Sequence, residues 1–336
     1  MKTLVTGGAG FIGSHVADNC LKLGHEVVIL DNLQGGNLLN IPKKALFIKG
    51  SVTNQNLVSS LFKEHRFDYV YHLAAYAAEG LSHHIRRFNY NNNLIGSVNL
   101  INESIKHRIK CFIFSSSIAI YGSQPSPLSE NTPPKPQDPY GISKYAIELD
   151  LQAANHVFGL NYIILRLHNV YGPKQNINDR YRNVIGIFIR QILDGKPLTI
   201  FGNGQQTRAF SFITNIASDI ANSVNINRAY NETINIGSDK PYSINYIAKV
   251  ILNEFNAKER IEYLPERFEV LHAYANQERS NSIFGKRKEV EIEEGISLMA
   301  GWIKKHSRLE KIRYFKNIEI INKLPAIWNH PSNKDG

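Results

Sequence analysis

The architecture of the chain is announced at Thr6-Gly7-Gly8-Ala9-Gly10-Phe11-Ile12-Gly13. The spaced glycines Gly7, Gly10 and Gly13 fall between a short apolar run at residues 2–6 and a segment of helical period at 11–23. Gly7 permits a tight turn, Gly10 lets backbone approach a pyrophosphate, and Gly13 allows a helix to pack closely on a strand. A helix opening at Phe11 and Ile12 aims free N–H groups and its positive dipole end at such a phosphate. A ligand-free glycine turn could share this spacing. What separates the two is context, because the next apolar run, 26–31, ends in Asp31 followed by Asn32. A carboxylate there can accept both hydroxyls of an adenosine ribose and repels a 2′-phosphate, which predicts NAD rather than NADP.

Outward from this turn, short β-branched runs alternate with helical segments, the pattern of βαβ units and a parallel sheet. Strands are expected at 2–6, 26–31, 46–48, 69–73, 111–116, 162–167 and 233–236, with helices at 11–23, 55–65, 90–106 and 140–158. Val27-Val28-Ile29-Leu30 is continuously apolar, as a strand buried on both faces should be. Beyond Leu167 the alternation loosens, with helices expected at 185–193, 215–224, 243–255 and 292–305 and strands at 198–201 and 209–213. The reading is a dinucleotide-binding domain over 1–167, rejoined by the strand near 233–236, then a smaller α/β lobe over 168–307 and a basic tail over 308–336. The tail is expected to be frayed. Residues 124–139, with six prolines, form neither a regular helix nor a central strand.

The 336 residues carry 39 Lys+Arg against 29 Asp+Glu, a net charge of +10. Charged residues at 20% and apolar residues at 43% exclude a largely disordered chain. With only Cys20 and Cys111, a disulfide framework is excluded and a reducing cytoplasm is expected. No apolar run reaches the ~18–20 residues of a membrane span, so no membrane partner is expected. The basic excess gathers late, at Lys286-Arg287-Lys288 and around Lys304-Lys305, without zinc-finger or RNA-recognition spacing. A positive field equally attracts small dianions, so the expected partner is a phosphorylated metabolite and not nucleic acid.

Tyr140-Gly141-Ile142-Ser143-Lys144 places a phenol and an ammonium at i and i+4, on one helix face. A phenol near pKa 10 is a poor base at neutral pH, and lowering it by about three units takes roughly 4 kcal/mol. Lys144 and a nicotinamide cation are the expected sources. Phe112-Ile113-Phe114-Ser115-Ser116-Ser117 is an apolar run ending in hydroxyls, placed where doubly wound sheets bind ligands. A hydroxyl there can hydrogen-bond the oxygen that Tyr140 deprotonates.

In this order, these motifs resemble the extended short-chain dehydrogenase/reductase family, and within it the nucleotide-sugar epimerases and dehydratases, most of all the UDP-galactose (UDP-hexose) 4-epimerases. The resemblance runs from about Lys2 to Trp302 and includes His72-Leu73-Ala74-Ala75, Asn93, Asn169-Val170-Tyr171-Gly172-Pro173, Gly202-Asn203-Gly204 and Gln206-Thr207-Arg208. It implies a Rossmann-type fold, bound NAD, a UDP-sugar substrate and a homodimer paired through the helices at 90–106 and 140–158. It further implies that Ser117 is the catalytic hydroxyl, Tyr140 the base and Lys144 its ribose-binding partner. Leu73, Ala74, Ala75, Asn93 and Ser115 would line the cofactor, and Asn169, Arg208 and Arg267 would hold the substrate diphosphate. Tyr274 would gate sugar size or be an ordinary core residue. Three departures stand out: Gly50-Ser51 where the family has Gly-Asp at the adenine, an unusual loop at 76–82, and Arg208-Ala209-Phe210 for the family's Arg-Asp-Phe.

Among family chemistries, 4,6-dehydratases carry Asp-Glu directly after the strand-end hydroxyl, where this chain has Ile118-Ala119. Decarboxylases keep a glutamate nearby, and none follows Ser117. The 3,5-epimerase relatives have a cysteine where Ala119 stands. One base and one hydride acceptor remain, which predicts C4 epimerisation by transient oxidation. The alternatives are a net nucleotide-sugar oxidoreductase and a non-catalytic NAD- or RNA-binding protein.

Overall fold

The computed structural model describes residues 1–266, 270–306 and 315–328. Six strands, β1 (Lys2–Thr6), β2 (Glu26–Asp31), β3 (Leu46–Lys49), β4 (Tyr69–His72), β5 (Cys111–Ser117) and β6 (Tyr162–Leu167), and a seventh, Glu232–Ile236, form one sheet. The order is Glu232–Ile236, β6, β5, β4, β1, β2, β3, with every pairing parallel. Because β1 has β2 on one side and β4 on the other, the strand order reverses at β1. That switch point is where open α/β sheets take ligands.

Strand periodicity divides the core. In β1 and β2, Val5, Val27 and Ile29 face helices Phe11–Lys22 and Ile213–Asn222, joining Val16 and Ile216. Leu4, Val28 and Leu30 face the other way and join Phe62, Leu100 and Leu151 of helices Gln55–His65, Gly96–Lys106 and Pro139–Phe158. A third core, around Ile185, Phe188, Leu198, Ile247 and Met299, holds helices Val184–Leu193, Ile244–Glu254 and Ile292–His306 on the pair Leu198–Phe201 and Ile261–Leu264.

Two expectations are corrected. The single strand expected at 209–213 is two, Thr207–Ala209 and Ser211–Phe212, because the first pairs with Pro241–Ser243 and the second with Val170–Tyr171. Ile213, Ile216, Ala217 and Ile220 then follow helical spacing, and Ile213 opens a helix. The tail is not frayed throughout: Trp328 is 6% exposed and, with Phe315, Ile318 and Leu324, joins an apolar cluster with Tyr76, Leu81 and Ile85. Part of the late basic charge is paired, Arg287 with Asp219 at 2.7 Å and Lys304 with Glu254 at 3.8 Å. Among the described residues, no helix is long and apolar enough to cross a membrane.

Candidate active site

The carboxyl ends of β1, β2, β4, β5 and β6 open into one cavity of about 810 Å³. At its floor lies the glycine turn. Gly7 adopts φ +71°, and a Cβ there would stand 2.8 Å from the Ala74 nitrogen. A Cβ on Gly13 would reach 2.1 Å from the Gly7 carbonyl oxygen, so helix Phe11–Lys22 can approach β1 this closely only with glycine. Gly10 caps that helix with no side chain, leaving the first N–H groups to face the cavity that Gly7, Gly10, Phe11, Ile12 and Gly13 line.

Asp31 is oriented from both sides. Its Oδ1 accepts the Leu33 N–H at 2.7 Å and its Oδ2 the Ala9 N–H at 3.1 Å. Burial raises its pKa, and these backbone donors oppose the rise. Asn32 lies beside it, and Ser51, in place of the family's acid, lines the same region with its hydroxyl 2.8 Å from that of Thr53. A glycine cradle with free N–H groups and a fixed carboxylate fits a dinucleotide with an unphosphorylated ribose.

The other end of the cavity holds the reacting groups. Helix Pro139–Phe158 begins with Asp138 as N-cap, its Oδ1 accepting the Gly141 N–H at 3.0 Å, and Pro139 occupies the first turn. Tyr140 is 7% exposed and lines the cavity with Lys144, Ser115 and Ser117. The Lys144 Nζ donates to the Ser115 carbonyl at 2.5 Å and lies 5.8 Å from the centre of the Tyr140 ring. Burial raises the Tyr140 pKa above the usual phenol value, Glu79 adds to the rise, and the Ser117 hydroxyl opposes it. Burial also pushes Lys144 down to about 7, against the attraction of Glu148. Burial thus works against the phenolate of Tyr140 and against the ammonium of Lys144.

A buried network fixes the catalytic helix to the sheet. Arg166 on β6 donates to both Glu148 carboxylate oxygens, at 3.0 and 2.7 Å, and to the Tyr121 hydroxyl at 2.7 Å. The Ser116 hydroxyl donates to Glu148 at 2.5 Å. All three strand-end serines line the cavity, and Ser116 among them also serves the scaffold through Glu148.

Leu73, Ala74, Ala75, Asn169 and Arg208 also line the cavity. The Asn169 amide donates to the Ala209 carbonyl at 3.1 Å, and the Arg208 guanidinium to the carbonyls of Leu271 at 2.9 Å and Val270 at 2.5 Å. Asn93 does not line it. It is 1% exposed, and its amide is taken up by the Tyr76 N–H and carbonyl, so it holds the loop after β4. Tyr274 is not a lining residue either; its backbone bonds Leu128 and Ser126 of the proline-rich loop. Arg267 lies outside the described residues. His72 is structural, between the Thr6 and Ser97 hydroxyls at 2.7 Å each, and burial pushes it down to about 3.

The fold adds residues that local motifs do not indicate: Glu79, Tyr181, Arg182, Ile327 and Trp328 share the cavity wall. Glu79 matters to the elimination made on the neighbours of Ser117, because a carboxylate reaches the site from another element.

The sequence pattern of the NAD dependent epimerase/dehydratase family matches residues 3–237. The UDP-glucuronate 4-epimerase of Thermodesulfobacterium geofontis is 30% identical over 330 residues, covering 94% of this chain and 99% of that protein. Among solved structures, the UDP-glucose 4-epimerase of Thermotoga maritima with UDP-glucose superposes with TM-score 0.87 at 34% identity, over 91% of this chain and 99% of that one. The UDP-N-acetylglucosamine 4-epimerase of Methanobrevibacter ruminantium M1, in complex with UDP-N-acetylmuramic acid, gives TM-score 0.84 at 33% identity, over 90% and 98%.

Proposed function

Since the chain belongs to the NAD-dependent epimerase/dehydratase family, we propose that it is a UDP-sugar 4-epimerase acting on a UDP-hexose, UDP-hexuronic acid or UDP-N-acetylhexosamine. The observation that carries this is the convergence of Tyr140, Ser117 and Lys144 on the cavity whose other end is the glycine turn and Asp31. Glycines 7, 10 and 13 with Phe11 and Ile12 would hold the NAD pyrophosphate, Asp31 and Asn32 its adenosine ribose, and Leu73, Ala74, Ala75, Ser115 and Lys144 its nicotinamide half. When bound, NAD supplies the hydride acceptor and a positive ring charge.

Tyr140 takes the proton of the C4 hydroxyl, with Ser117 hydrogen-bonded to the same oxygen. Asn169 and Arg208 hold the diphosphate, for which a guanidinium fork is suited, with Arg267 as a candidate second cation. Anchored only there, the flat 4-keto sugar turns to present its other face, and Tyr140 returns its proton as the C4 hydroxyl re-forms. No net redox change results.

Incubating the purified protein with UDP-glucose, UDP-glucuronate and UDP-N-acetylglucosamine, and resolving C4 epimers by NMR, tests this reading. Epimer formation without stoichiometric NADH consumption is the expected result. Net consumption of NADH would make it an oxidoreductase instead. Free, buried Cys20 and Cys111 support a reducing cytoplasm as its location. Exposed apolar side chains on neighbouring helices, Ile95 on one and Ile142 and Leu149 on the other, support a homodimer.

A further inference from the structure

We propose that residues 315–328 form the outer wall of the sugar pocket, and that Trp328 with Ile327 sets which ring substituents the enzyme accepts. The inference rests on the reading of the cavity as a UDP-sugar site. The segment lies beyond Trp302, where the resemblance to the family ends, so the family pattern does not account for it.

Three anchors hold it against the body of the molecule. Phe315 packs between Tyr76 and Phe88, ring centres 5.4 and 4.8 Å away. The Glu319 carboxylate accepts the N–H groups of Arg87 and Phe88, each at 2.8 Å. Beside it, the N–H groups of Glu319 and Ile320 donate to the His84 carbonyl at 2.8 and 3.2 Å, and the Ile320 carbonyl meets the His84 Nδ1 at 2.7 Å. Finally, the Ile327 carbonyl accepts from the Arg180 guanidinium, and the Trp328 ring stands edge-on to Tyr181 at 5.6 Å. The segment therefore bridges the loop and helices after β4, from the first domain, to residues 180–181 of the second lobe.

Its last two residues reach the cavity. Ile327 and Trp328 line the cavity with Tyr140 and Ser117. A Cβ on Gly80 would stand 2.9 Å from the Trp328 Cη2, so the indole sits directly against the turn that carries Glu79. The turn Glu79–Ser82 is itself tied to the start of the catalytic helix, the Ser82 hydroxyl accepting the Tyr140 N–H at 3.3 Å and meeting the Asp138 carboxylate at 3.3 Å, which places this wall at the sugar end rather than the adenine end. An indole edge and a branched aliphatic chain tolerate the C–H face of a pyranose. They offer no charge to a substituent and fill the volume a bulky one needs. Pocket differences of one or a few carbon atoms change selectivity by about 10–200-fold.

The test compares kcat/KM for UDP-glucose and UDP-N-acetylglucosamine in the wild type, Trp328→Ala and Ile327→Ala. The ratio of N-acetylated to unsubstituted substrate should rise at least about tenfold in either variant, while affinity for UDP alone stays within about twofold. A ratio unchanged in both variants would overturn the proposal, as would an equal loss on both sugars. A second readout needs no turnover. The chain has two tryptophans, so in Trp302→Phe all indole emission comes from Trp328. UDP-glucose should shift that emission and UDP should not. Identical responses to the two would rule the wall out, whereas a wild type inactive on every sugar but responsive here would reject the epimerase reading and leave Trp328 at the sugar.

Discussion

Tyr140 and Lys144 face each other across one helical turn, yet both are buried so fully that each is pushed toward its neutral form. Burial works against the phenolate, and the positive ring of a bound nicotinamide would work for it. Tyr140→Phe keeps the ring and removes the proton acceptor. Turnover should fall by roughly 10²–10⁴, the range for a lost general base, while UDP-sugar binding measured by calorimetry persists. Lys144 makes a separate prediction about stability. Its native pKa of about 7 lies below the ordinary lysine value of 10.5, so between these values the unfolded chain binds more protons than the native one. Stability should therefore rise with pH across that window. Urea unfolding at pH 7 and pH 9 should differ by the order of 2 kcal/mol in the NAD-free wild type and much less in Lys144→Met, which buries no ionisable group.

At the level of elements, the site depends on how two helices begin. Helix Phe11–Lys22 meets β1 at Gly13, where an added Cβ would stand 2.1 Å from the Gly7 carbonyl oxygen, backbone against backbone. Gly13→Ala should displace the helix N-terminus and lose NAD during purification, seen as a lower 260/280 nm absorbance ratio, with the second lobe still folded. The catalytic helix starts at Asp138, whose carboxylate also accepts the Ser82 hydroxyl at 3.3 Å and so joins the cap to the loop after β4. Asp138→Ala should cost about 1 kcal/mol in urea unfolding, the usual value of an N-cap. Farther along, the Glu148–Arg166 pair is buried and doubly hydrogen-bonded, which fixes the helix to β6.

For the molecule as a whole, the proposed two-fold partner has a visible face. Ile142 and Leu149 are i and i+7 on the outer side of helix Pro139–Phe158, 40% and 47% exposed, and Ile95 on the neighbouring helix is 48% exposed. Leu149→Lys would set a charge into a self-matching contact, where it meets its own copy. The variant should elute as a monomer in size-exclusion chromatography where the wild type elutes as a dimer. An unchanged elution volume would place any subunit contact elsewhere. Among the described residues, part of the late positive charge is paired, Arg287 with Asp219 and Lys304 with Glu254.

Local spacing was enough to reveal the glycine turn, the acid ending β2, the Tyr140/Lys144 face and most of the parallel sheet, because each is written within one turn, strand or helix. Period 2 and period 3.6 are properties of neighbouring residues, and the strands at 2–6, 26–31 and 162–167 lie where that pattern puts them. Only folding could show that Asn93 bonds the loop after β4, that Ser116 belongs to an ion-pair network, and that burial raises the Tyr140 phenol. Burial and partner choice depend on contacts between distant parts of the chain, as when Glu79, Tyr181 and Trp328 meet on one wall. The same distance hid the tail: its aromatics look like surface until Tyr76 and Phe88 are brought against Phe315.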